Sequence, residues 1–329
     1  MSVDKDHAMQ SPDRSASRPA DWRGRGLLRV LLLVVAAGAL AALASIYGVA
    51  YDYSYLRASL LTGTTGGKYY VLGTRLADRA SRGRGSVVVV PTAGSVENVS
   101  RLAQKGGSCA ATFAFMQDGT PVPEDAQIEA LGRLPEPESL LLLGRRGRAF
   151  STFADLRGAS IGIGPDGSGT AHLMRQLFKD PDLGGLDVRL SHHGLAEQAE
   201  LVAQGRLDLA AVVMGEDAEF IRTAVRQYDL DLAAPRELEG LVKRHAWLGL
   251  GRIPAGRYDL EHPTPYVDKA VAQVDTLVVA GPCARRAERV ALLSLLGAEL
   301  PSFVRSNPPR STGAAARVRS ATVLSDRRA

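Results

Sequence analysis

The chain has 329 residues, of which 45% are hydrophobic and 23% charged, and its formal net charge is +5. That balance excludes a wholly disordered, collagen-like or disulfide-scaffold chain, and the length predicts two domains with appendages. The basic excess lies at the ends. Residues 1–29 carry Lys5, Arg14, Arg18, Arg23, Arg25 and Arg29 against four aspartates, and residues 302–329 carry six arginines against Asp326 alone. The stretch between them is slightly acidic, at −2. A nucleic-acid groove needs Lys and Arg clustered on the folded part, so no nucleic-acid partner is expected.

In chain order, residues 1–29 are a basic leader and residues 30–50 carry no charge, running from Val30 and Leu31 to Ile46 and Ala50. A helix of that length reaches about 30 Å, the thickness of a bilayer core. Arginines before the run and Asp52 after it put the leader in the cytoplasm and the body outside. The segment thus reads as a single-pass transmembrane anchor in the cytoplasmic membrane. The rival reading is a removable signal sequence, because Ala42-Leu43-Ala44 has the look of a cleavage site. The long polar lead favours the anchor.

Strands are predicted at 86–91, 110–115, 139–143, 160–163, 187–190, 208–213 and 276–280, where β-branched or apolar runs occur. Amphipathic segments lie between them: Leu72 with Leu76, then Val96, Val99 and Leu102, then Leu173, Met174 and Leu177. Alternating strands and helices predict an α/β architecture of mostly parallel sheets. From Pro301 onward Ser, Pro, Arg and Ala prevail, which predicts a disordered tail over 302–329. Cys109 and Cys283 are far apart, and Cys109 adjoins an apolar run, so a small buried side chain is expected there.

Three helix starts share one pattern. Thr64-Thr65-Gly66-Gly67 precedes a helix opening near Tyr69, Thr92-Ala93-Gly94-Ser95 precedes one through Asn98, and Asp166-Gly167-Ser168-Gly169-Thr170 precedes one through Leu173. Each follows a strand. Glycine lets the backbone approach a ligand closely, and the first N–H groups of a helix lack internal partners. Such turns receive carboxylates or phosphates, and in open α/β sheets they lie where ligands bind.

Other motifs fail. Gly162 to Gly167 spells GxGxxG, but Pro165 stiffens it and Asp187 opens a strand instead of ending one. Gly66-Gly67-Lys68-Tyr69 lacks the first glycine and the Ser/Thr of a P-loop. There is no GxSxG elbow, no HExxH helix and no Cys/His zinc spacing. His192 and His193 fit a loop face, and Glu197, Glu200, Glu216, Asp217 and Glu219 lack calcium-loop spacing. Arg145, Arg146 and Arg148 could clamp a second carboxylate or form a solvated surface. No nucleophile and base are paired, so neither an enzyme nor a bound cofactor or metal is expected.

The same residues carry a family resemblance. Gly66-Gly67-Lys68-Tyr69-Tyr70 resembles the GGxYY signature of TAXI-type solute-binding proteins, receptors of one branch of TRAP transporters. Thr92 to Asn98 resembles their TxGSxxN segment, and Phe115-Met116-Gln117-Asp118 their Gln-bearing strand end. Phe153 to Gly158 with Gly167 to Thr170, Gln204 to Ala210, and Ile253 to Tyr258 follow in the family's order. The resemblance implies a two-lobed α/β fold of the type II periplasmic-binding-protein kind, closing on a small organic anion, either a carboxylate or an amino acid. It places lobe one at 56–149, lobe two at 150–250, and a return to lobe one at 251–301. Expected ligand contacts are Thr64, Gly66, Gly67, Tyr69, Tyr70, Gly94, Ser95, Asn98, Gln117, Ser168, Gly169 and Thr170. The implied partner is a TRAP-type permease. The alternative is an orphan ligand-sensing or scaffold protein on the same frame.

Overall fold

The computed structural model describes residues 22–46, 52–65, 67–104, 111–148, 150–305 and 319–320. Two compact units divide the chain, Met1–Tyr51 and Asp52–Ala329. In the first, α1 (Trp22–Ile46) is a single helix whose Leu31, Leu33, Val35 and Leu40 are all exposed. Among the described residues no helix is long and apolar enough to cross a membrane. The last part of the apolar run, 47–50, and the leader up to residue 21 lie outside the described residues.

The second unit begins with β1 (Arg57–Leu61), α2 (Lys68–Arg82), β2 (Ser86–Val90), α3 (Ser95–Ala103), β3 (Phe113–Gln117) and β4 (Glu129–Arg133). Then come β5 (Glu138–Arg145), β6 (Ser160–Gly162), α4 (Gly169–Leu177), α5 (Pro181–Gly184), β7 (Arg189–Ser191), α6 (Leu195–Ala203) and β8 (Leu209–Met214). They are followed by α7 (Glu219–Gln227), β9 (Leu230–Ala233), α8 (Leu238–Arg244), β10 (Leu248–Ile253) and β11 (Lys269–Val274). The chain closes with β12 (Thr276–Ala280), α9 (Arg286–Glu299), β13 (Val304–Arg305) and β14 (Arg319–Ser320).

These strands build two sheets. The first has the order β13-β4-β12-β3-β1-β2, with β14 also on β4; the second has β10-β11-β5-β8-β6-β7, with β9 also on β5. Side-chain alternation gives each sheet a core on both faces. Leu60, Phe113 and Phe115 pack beneath α2 and α9, while Leu61, Ala114 and Met116 pack with Val99 and Leu102 of α3. In the second sheet Ile161, Leu209 and Ala211 meet Leu173 and Met174 of α4, and Leu141, Ala210 and Val212 meet Ala199 and Val202 of α6. The result is a two-sheet α/β fold.

Pairing changes four expectations. The sheets are mixed: β1 runs parallel to β2 and β3, and β6 parallel to β7 and β8, but β12 and β5 run antiparallel to their neighbours. Those two strands enter from the other lobe, which reverses their direction. For the same reason the crossovers fall between β4 and β5 and at Asp275, not near 150 and 250, so β5, β10 and β11 belong to the second sheet. Within the tail, β13 and β14 pair with successive parts of the outer edge of β4, whose backbone groups would otherwise be unpaired. Finally, Cys283 is disulfide-bonded, and Cys109, the chain's one other cysteine and expected to be a buried thiol, lies outside the described residues.

Candidate functional site

Each of the three predicted turns sits at the carboxyl end of a strand: after β1, after β2 and after β6. All three face the seam between the lobes. A Cβ built on Gly94 would lie 3.3 Å from the Gly169 nitrogen, and one built on Gly167 would lie 3.7 Å from Ala93 Cβ. The first turns of α3 and α4 therefore approach each other across the seam. Gly94 also adopts φ 134°, a region that disfavours any side chain.

At α2, the Gly67 N–H donates to the Thr64 carbonyl at 3.0 Å, while Thr64 itself is exposed and Gly66 lies outside the described residues. Lys68 reaches across to Glu136 at 3.0 Å and lies against Gly215, just after β8. Tyr69 points inward, its ring stacked on Phe115 at 5.4 Å between centroids. Its hydroxyl bonds to the Glu138 carboxylate and lies 2.7 Å from Thr276 Oγ1. Tyr70 is half-buried, with its carbonyl taken by Thr74. Adjacent helical residues face different sides, so only Tyr69 looks inward.

Several expected contacts take part in the framework. Asn98, fully buried, donates to the carbonyls of Thr62 at 2.7 Å and Phe115 at 2.8 Å and accepts from Thr92 Oγ1 at 2.7 Å. Both of its N–H groups are engaged, so it binds β1 to β3 and presents no donor to the seam. Ser95 Oγ accepts from the Gln117 N–H at 3.0 Å. Ser168 caps α4 by accepting from the Ala171 N–H at 3.1 Å, and Thr170 Oγ1 accepts from the Val213 N–H at 3.1 Å. These hydroxyls fix the turns that carry Gly94 and Gly169.

Gln117 lies at the centre. Its Nε2 donates to Glu138 at 2.8 Å, and a Cβ built on Gly169 would come within 2.1 Å of its Oε1. A side chain at 169 would force that amide to shift away from the α4 start.

Glu138 was not expected, nor were Lys68 and Thr276. It opens β5, opposite Val274 at the end of β11, so it sits between the two crossovers on the floor of the seam. It is 4% exposed. Burial pushes its carboxyl pKa up, against the opposing pull of the Tyr69 and Gln117 bonds and the charge of Lys68. Burial, and then the Glu138 charge, push the Tyr69 hydroxyl well above its ordinary range, so it stays a donor. A signal existed in the sequence: Glu138 is a carboxylate placed directly ahead of the uncharged strand run Ser139 to Leu143.

The basic residues near the end of β5 are remote from this point. An eight-residue strand puts Arg145 about 23 Å from Glu138. Arg146 pairs with Asp229 at 2.6 Å and Arg148 with Asp208, so they are structural ion pairs and not a ligand clamp. His192 bonds to the Gly164 carbonyl at 3.0 Å and His193 to Glu197 at 3.0 Å. Glu216 accepts from Ser139 at 2.8 Å, and Asp217 pairs with Arg257 at 2.5 Å.

The sequence matches the NMT1-like family over residues 60–282, more than half of the chain. The protein belongs to the NMT1-like family. Its matched region takes in the whole second sheet, most of the first and the residues around Glu138. Among solved structures, the chain is similar to an ancestral arginine-binding protein bound to arginine, at 9% identity and a TM-score of 0.45, over 74% of this chain and 92% of that one. It is also similar to the alkanesulfonate-binding protein SsuA from Xanthomonas axonopodis pv. citri bound to MOPS, at 15% identity and 0.44, over 75% and 72%. A third likeness is the effector-binding domain of QuiR in complex with shikimate, at 11% identity and 0.45, over 74% and 96%.

Proposed function

We propose that this protein is a membrane-tethered, extracytoplasmic solute receptor that captures a small organic anion between its lobes. The delivery partner in this reading is a TRAP-type permease. One observation carries the reading: helix starts from both lobes, with the bonded trio Tyr69, Gln117 and Glu138 between them, converge on a single seam. A carboxylate at a helix start gains 0.3–1 kcal/mol, up to about 2. Micromolar affinity needs about 8 kcal/mol, so exclusion of water as the lobes close must contribute much of the rest. A ligand touching both lobes favours the closed arrangement because only there are all its contacts made.

Two features support the extracytoplasmic placement. Arginines precede the uncharged run 30–50, and a disulfide at Cys283 suits an oxidising compartment. In the TAXI-like reading residues 30–50 hold the receptor at the membrane. Deleting residues 1–50 should then move the protein from the membrane to the soluble fraction; retention at the membrane would overturn the tether.

A thermal-shift screen of the full-length protein against dicarboxylates, oxo acids, amino acids and sulfonates tests the binding itself. The expected result is stabilisation by at least one small anion at micromolar to millimolar concentration. Failure of every one would remove the receptor reading. Co-purification with a permease subunit distinguishes transport from an orphan sensing role.

A further inference from the structure

Glu138 is a poor neighbour for a ligand that is only an anion. It is a carboxylate on the floor of the seam that accepts hydrogen bonds from Tyr69 and Gln117. Both of these bonds end on Oε2. Oε1 receives no donor among the described residues, and Glu138 forms no ion pair there. The cation that acts on it electrostatically, Lys68, is held by Glu136 at 3.0 Å. Burying a carboxylate without a counter-charge is costly, and two neutral donors offset only part of that cost. The carboxylate is also where lobe closure leaves it in place, because it lies between the two crossovers, opposite Val274.

We infer that Glu138 Oε1 is the receptor for a cationic group on the ligand, so that the ligand is zwitterionic, with an ammonium beside its carboxylate. In this arrangement the ligand carboxylate meets the helix starts at Gly94 and Gly169, and the ammonium meets Glu138. The two charges of an α-amino acid are separated by one carbon, which suits a seam whose opposite walls come within a few ångströms. This rests on the receptor reading above and narrows it: simple dicarboxylates and oxo acids, which the anion-only site would accept, are disfavoured because each brings a second negative charge or a carbonyl dipole to Glu138.

Isothermal titration of the full-length protein with matched pairs tests it: alanine with pyruvate, aspartate with oxaloacetate, phenylalanine with phenylpyruvate. Each pair differs only in replacing the amine with a carbonyl. The expected result is that, for the pair that binds, the amino acid is at least about tenfold tighter. Glu138→Gln should weaken the amino acid about a hundredfold and leave the oxo acid unchanged or tighter, since it removes one partner of a buried charge pair. Glu239→Gln, on the exposed part of α8, should change neither. An oxo acid that binds as tightly as its amino acid, or tighter, overturns the ammonium site and leaves the anion receptor standing. No binding by either member of any pair counts against both readings. The wild-type comparison needs no variant to fold.

Discussion

Glu138 is a buried carboxylate whose titration should be visible in stability. Burial raises its folded-state pKa above the unfolded value. A carboxyl shifted that way stabilises the fold fully below its unfolded pKa and loses that contribution as pH rises through the folded value. Glu138→Gln keeps an acceptor for Tyr69 without the charge. Its thermal midpoint should equal the wild type's in acid and exceed it by a few degrees in mildly alkaline buffer; a lower midpoint at both pH values would contradict the assignment. The variant that loses ligand would then gain stability, the usual trade at a binding site. Asn98 behaves oppositely. Asn98→Ala removes the side-chain donor of the buried Phe115 carbonyl and leaves the Thr62 carbonyl only its 3.3 Å bond from Thr92 Oγ1. It should cost about 3 kcal/mol in denaturant unfolding, with any residual ligand affinity in the folded fraction little changed.

At the scale of elements, the first turns of α2, α3 and α4 were legible because strand, small-residue turn and helix are contiguous in the chain. Ser168 shows the reason locally: its extended backbone and its bond to Ala171 set the start of α4 without help from elsewhere. What such turns face was not legible. Gly169 looked like one glycine among several in a capping segment, and its close contact comes from Gln117 arriving from the other lobe. Gly169→Asp should abolish any ligand-induced thermal shift, by adding bulk against Gln117 and a like charge at the carboxylate seat. An unchanged shift would remove the α4 turn from the site. The antiparallel strands β10 and β11 and the edge strands β13 and β14 escaped the sequence reading because alternation and apolar runs are weak there. Their register is set by the partner strand, not by their own composition.

At the scale of the molecule, two sheets are joined by two adjacent crossovers. The Asp118 N–H donates to the Asp275 carbonyl at 2.8 Å and the Leu134 N–H to the Thr276 carbonyl at 2.9 Å, so the hinge side of lobe one is stitched to the returning strand. Arg133 and Asp275 pair at 2.9 Å at the same place. The bridge at Cys283 adds a covalent constraint beside the start of α9. Reducing it in the full-length protein should lower unfolding stability by about 2–5 kcal/mol, as for other native disulfides, and a midpoint insensitive to reductant would show that the bridge carries no stability.

By itself the sequence determined the alternation of strands and helices, the acidic body between basic ends, and the three glycine-bearing helix starts. Each is a property of neighbouring residues, fixed by periodicity, glycine content or local charge. Tertiary structure decided which groups at those helix starts remain available. It engaged both N–H groups of Asn98 within lobe one, and it brought Tyr69, Gln117 and Glu138 into contact. It also gave β5 and β11 to the second sheet. Those outcomes depend on pairing between residues distant in the chain, above all Glu138 opposite Val274, and no local pattern encodes that register. A carboxylate at the head of a strand is ordinary until a second lobe closes over it and removes the water that made its charge cheap.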